Sequence, residues 1–147
     1  MKNIKQLEQE LLNLHEAITT YNNGQFLNLS KDDYEKWDEL KTVFPSHREL
    51  VNKYTSKVHK LLKKNKLNHI PLPPFIVFPM YSPVTIGWRM GTGEDYESDW
   101  MKVIKNLSKE ELTEYCSQYN YPMWWVEYNP YKDFCGTRYY DMPWKNK

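Results

Sequence analysis

Over the first seventy positions, apolar residues return at three- and four-residue steps between charged neighbours, the period of amphipathic helices packed on one another. Ile4, Leu7, Leu11, Leu14 and Ile18 form one such stripe, widened by Leu12 and Ala17, and predict a helix from Asn3 to about Thr19. Tyr21-Asn22-Asn23-Gly24 is turn chemistry and ends it. Ser30 then stands as an N-cap, with Asp32 and Asp33 in a first turn where the helix dipole favours acids. The helix it opens is expected to bury Tyr34, Trp37, Leu40 and Val43 and to stop at Pro45. Ser46-His47-Arg48-Glu49 has the spacing of a capping box. It predicts a third helix with Leu50, Val51, Tyr54, Val58, Leu61 and Leu62 inward, fraying over Lys64–Asn68. Three helices of this kind imply an antiparallel bundle or a long hairpin.

The period breaks at Ile70. In Pro71-Leu72-Pro73-Pro74-Phe75-Ile76-Val77-Phe78-Pro79 the prolines lack donors and bias their predecessors to extended angles, so no helix is expected. The run reads as an extended linker packed on the core or as a short edge strand. Val84–Trp88 is a second candidate strand. Helical spacing resumes from about Glu94 to Asn106, with Trp100, Val103 and Ile104 inward, and again after the capping box Ser108-Lys109-Glu110-Glu111, through Leu112, Tyr115 and Cys116. Pro122 halts any continuation. The expected fold is therefore mainly α: an N-terminal helical bundle or hairpin over 1–69, then a Pro-rich connection, two helices and an aromatic-rich tail over 70–147, with at most a small β element. The two parts are expected to form one integrated domain.

Composition sharpens this at one point. Aromatic residues are 16% of the chain, with six Trp and twelve Tyr, and ten of the rings fall in Tyr119–Trp144. Large rings supply burial to a small core, but Trp, Tyr, Met and Arg are also the residues of protein-binding hot spots. Tyr121, Trp124, Trp125, Tyr128 and Tyr131, oriented by Arg89 and Arg138, are the candidate partner-binding group on that second reading. On the plainer one, the tail wraps the domain and stands in for an aliphatic core.

A net charge of +1 gives no global attraction to nucleic acid or anionic lipid. Locally, Lys53, Lys57, Lys60 and Lys64 recur at helical steps with no acid between 50 and 66, a stripe able to follow a phosphate backbone or simply to remain solvated. No apolar run suits a signal peptide or a membrane span, and two cysteines, Cys116 and Cys135, are read as reduced thiols, so a cytoplasmic protein is expected. The histidines at 15, 47, 59 and 69 are scattered, and no Ser or Cys sits in a nucleophile motif, which lowers the enzyme hypothesis. Glu94, Asp95, Glu97 and Asp99 offer carboxylates, Asp95 and Asp99 on one helical face, but lack a neighbouring histidine, so no metal site is assigned, and no cofactor motif is complete.

Trp88-Arg89-Met90-Gly91-Thr92-Gly93-Glu94-Asp95-Tyr96 is the most motif-like run. Its glycines permit a tight turn ahead of a helix, where amides can face an anion, but Glu94 and Asp95 occupy that helix start and oppose phosphate. Together with Ile86, Gly87, Trp100, Leu107–Glu111 and Tyr115, this run resembles a signature of small uncharacterised bacterial and phage proteins, over roughly residues 83–125. The resemblance implies a bacterial or phage origin and no particular chemistry. The function expected from all this is a non-enzymatic, protein-binding factor that occludes or sequesters its target, as immunity and anti-defence inhibitors do. Two alternatives stand beside it: a nucleotide- or small-molecule-binding protein or small enzyme using Arg89 and the Gly91–Gly93 turn, and a nucleic-acid-binding accessory protein using the lysine stripe.

Overall fold

A computed structural model describes residues 2–21, 39–78 and 91–119. These residues are mainly helical and contain no strand. The helices are α1 (Ile4–Tyr21), α2 (His47–Lys63), the single turn α3 (Pro74–Val77), α4 (Thr92–Ile104) and α5 (Lys109–Ser117). Residues 39–43 are helical as well and hand over to α2 through the turn at Pro45 and Ser46. The proposed strand 84–88 and the Ser30 cap lie outside the described residues.

The helix ends follow their local chemistry, with two departures from expectation. At the start of α1, Asn3 and Gln6 form a reciprocal box, each side-chain oxygen taking the other's backbone N–H at 2.9 and 2.8 Å. Ser108 and Glu111 do the same for α5, at 3.1 and 3.3 Å. Ser46, however, already has helical angles and makes no side-chain cap, because the turn after Phe44 carries helical geometry straight into α2. Nor does the end of α2 fray. Asn65 takes a left-handed φ of 54°, its N–H reaches Leu62 O at 3.0 Å, and the Lys66 N–H reaches Leu61 O at 2.8 Å. That is a Schellman closure, with asparagine in the place glycine usually fills.

The expectation that Pro71–Pro79 holds no helix is corrected. Pro74 opens the turn α3 at a position where the missing donor costs nothing, and the Ile76, Val77 and Phe78 amides return to the carbonyls of Pro73 and Pro74. All eight residues 71–78 are buried, so this strap is interior. A buried connection must place each of its backbone polar groups. The strap meets that demand partly by lacking donors at Pro71, Pro73 and Pro74. Its remaining early amide, Leu72 N–H, donates to Tyr54 Oη at 2.9 Å. Tyr96 Oη donates to Leu72 O at 2.5 Å, and Tyr115 Oη donates to Pro71 O at 2.7 Å. Trp100 Nε1 in turn donates to Tyr115 Oη at 3.0 Å.

The main core gathers around this strap. It joins Leu7 and Leu11 of α1, Val51, Tyr54 and Val58 of α2, Leu72 and Phe75–Phe78, Tyr96, Trp100 and Ile104 of α4, and Leu112 and Tyr115 of α5. Tyr54 and Phe78 both pack on Tyr96, with ring centroids 5.9 and 6.0 Å away. A second, smaller cluster sets Ile18 against Leu40, with Leu14 and Phe44 beside them. The tyrosines thus do two jobs, filling volume with their rings and tethering backbone with their hydroxyls.

Candidate functional site: a lysine-lined groove

A cleft runs along the junction of α1 and α2. Its larger part, about 870 Å³, lies between Lys2 and Gln6 on one side and Lys53, Ser56, Lys57, Lys60 and Lys64 on the other, over a floor of Leu7 and Leu61. The lysine stripe is therefore one wall of a groove. Helical periodicity aligned the four lysines, and antiparallel packing of α1 brought Lys2 opposite them. Lys2 carries no periodic signal and was not anticipated.

The cations are not equivalent. Lys2 bonds to Glu10, and Lys53 pairs with Glu49 one turn back at 2.9 Å. Lys57, Lys60 and Lys64 have no carboxylate partner among the described residues. Three ammonium groups with no carboxylate partner among the described residues, beside two paired ones, make this end of the groove cationic. Its apolar floor distinguishes it from a purely solvated charged face.

A second stretch of groove, about 520 Å³, continues past Lys2, Leu7 and Lys53 toward Ala17 and Ser46, with Leu14 and Leu50 on its floor and Glu10 and Glu49 on its walls. The charge there is balanced.

Other ionisable groups sit inside the molecule. Glu8 is buried, accepts a 2.6 Å bond from Tyr54 Oη, and meets His69 Nε2 at 2.9 Å. Burial, and after it the Glu8 carboxylate, push the Tyr54 hydroxyl far above its ordinary range, so it stays protonated as a donor. Asp99, also buried, binds His59 Nδ1 at 2.9 Å and Lys102 at 3.6 Å, linking α4 to α2. This is the work of one of the four acids weighed as metal ligands, and it sets a histidine beside it that the sequence did not place there. Among the described residues no three metal-ligating side chains converge. Glu97 is buried with neither carboxylate oxygen hydrogen-bonded, and desolvation, with Glu94 nearby, raises its pKa to about 8. His15 and His47 go the other way: burial lowers each to about 4, His47 adding to the effect on His15. None of these groups lines the lysine groove.

The glycine turn is simple in structure. Gly91 has φ 79° and ψ −149°, a region that essentially only glycine occupies, and α4 starts immediately after it with Glu94 and Asp95 in the first turn. The acids sit where the helix dipole favours them. Of the partner-binding group read from sequence, Arg89, Tyr121, Trp124, Trp125, Tyr128, Tyr131 and Arg138 all lie outside the described residues. No helix among the described residues is long and apolar enough to cross a membrane.

Comparison with protein-family models, curated proteins and solved structures finds no match.

Proposed function

We propose that this protein is a non-enzymatic binding factor that holds another protein by an acidic segment laid in the lysine-lined groove. The observation that carries this is the trio Lys57, Lys60 and Lys64, without a carboxylate partner among the described residues and set above Leu61 and the buried Leu7. Cations alone would suit a phosphate backbone, whereas cations over leucines suit a polypeptide that offers carboxylates and apolar side chains together. Occlusion of the bound partner is the action such a factor exerts, in the manner of immunity or anti-defence inhibitors. Trp124, Trp125 and Tyr128 belong to the proposal as a separate hot-spot group.

The test is affinity enrichment from host lysate, read by quantitative mass spectrometry, with wild type set against Lys57→Glu/Lys60→Glu/Lys64→Glu. A protein enriched by wild type and lost from the folded, charge-reversed variant supports the groove. Loss with Trp124→Ala/Trp125→Ala but not with the lysine variant moves the partner to the aromatic run. Retention of nucleic acid rather than protein, weakening steeply with salt, replaces this reading by the accessory-protein one.

A further inference from the structure

The two stretches of groove share Lys2, Leu7 and Lys53, so they are one channel along the antiparallel α1–α2 pair. Followed along α2 from Ser46 to Lys64, the channel is about 27 Å long at the helical rise per residue. Its floor is set by Leu7 and Leu14 from one helix and Leu50 and Leu61 from the other, and its charge is graded. One end carries the free Lys57, Lys60 and Lys64. In the middle, Lys2 and Lys53 are each neutralised on their own helix by Glu10 and Glu49.

Resting on the acidic-partner reading above, we infer that the occupant of this channel is an amphipathic helix of about five turns, with its carboxylates gathered at the end that lies over Lys57, Lys60 and Lys64. Two antiparallel helices with the half-buried Leu14, Leu50 and Leu61 along their outer seam, above the buried Leu7, present the surface that a third helix completes by ridge-into-groove packing. An extended peptide alternates its side chains between two faces, so only every second residue would meet the floor. A helix instead sets residues i, i+3, i+4 and i+7 on one side and reaches both rows of leucines. The charge gradient then fixes which end goes where. Acids spread evenly along the helix would place some beside Glu10 and Glu49, whose lysines are already paired, and would leave fewer over the three free cations.

Four fluorescent 18-residue peptides of stated sequence pattern test this by anisotropy against the full chain. The first carries a leucine stripe and three glutamates in one terminal third, the second the same composition with glutamates spread out. The third is the first with a central proline, and the fourth has lysines in place of the clustered glutamates. The first should bind about tenfold more tightly than the second or third and gain helical circular dichroism on binding. Lys57→Glu/Lys60→Glu/Lys64→Glu should lose the first and gain the fourth. Equal binding of the first and third overturns the helical occupant while leaving an acidic partner in place. Equal binding of the first and second overturns the graded register. If no peptide binds and an 18-nucleotide single strand does, both this inference and the reading beneath it fall.

Discussion

Glu97, His15 and His47 together predict a stability maximum near pH 6.5, and Glu97→Gln should remove one side of it. The Glu97 carboxyl has a folded pKa of about 8 against an ordinary 4.5. A group raised in this way contributes stability that is full below pH 4.5 and lost as pH climbs through 8. Each pH unit between those limits is worth about 1.4 kcal/mol, so the whole span is about 5 kcal/mol. His15 and His47 have folded values of about 4 against an ordinary 6.5, and their contribution is full above 6.5 and lost as pH falls toward 4. Between pH 4.5 and 6.5 the two histidines outweigh the single carboxyl, and stability rises by about 1.4 kcal/mol per unit. Above 6.5 only the carboxyl remains, and about 2 kcal/mol is lost by pH 8. Urea titrations of wild type and Glu97→Gln at half-unit intervals from pH 5 to 8.5 read these slopes directly. The variant should be flat above 6.5 and steeper than wild type below it, at about 3 kcal/mol per unit. Parallel curves for the two proteins above pH 6.5 would refute the reasoning, since Glu97 would then be ionised in the native state.

Three further outcomes follow from the geometry. Tyr54→Phe leaves the buried Leu72 N–H without an acceptor and removes the hydroxyl donor from Glu8, which keeps His69, and should cost about 2–4 kcal/mol by urea unfolding. A double-mutant cycle with Glu8→Gln should then show non-additivity. Gly91→Ala meets no neighbouring atom among the described residues, so its cost is that of its backbone angles, about 1–3 kcal/mol; an unchanged melting temperature would mean the turn relaxes. Asn65→Gly should stabilise α2 slightly, by up to about 1 kcal/mol, because the left-handed closure suits glycine better, and amide exchange at Lys66 should slow.

How much of this was legible in the sequence depends on whether one element or several had to be read together. The α1 stripe and the Ser108–Glu111 box are local, and both stand where period and spacing put them. Glu8 and Glu97 were legible in part. Glu8 falls four residues after Ile4 and three before Leu11, and Glu97 falls three before Trp100, so each is a charge on a buried stripe. Such an interruption is itself the signal of an internal ionisable group. Its partner is not legible, because His69 lies sixty-one residues from Glu8. The strap was misread because proline was weighed only as a helix breaker. In the interior, its missing donor reduces the number of groups that must find a bond. The groove has the same character: Lys57, Lys60 and Lys64 were visible as a row, but Lys2 and the leucine floor belong to it only once α1 is packed alongside.

The strap also bears on the order of events during synthesis. Its carbonyls are tied by Tyr96 and Tyr115, while its one early amide is tied by Tyr54, which in turn holds Glu8. Contacts spanning from residue 8 to residue 115 mean that α1 and α2 emerge from a ribosome well before their shared interior can close. Until α5 has left the exit tunnel, the nascent pair keeps an exposed apolar face, and that interval is where a chaperone would be met.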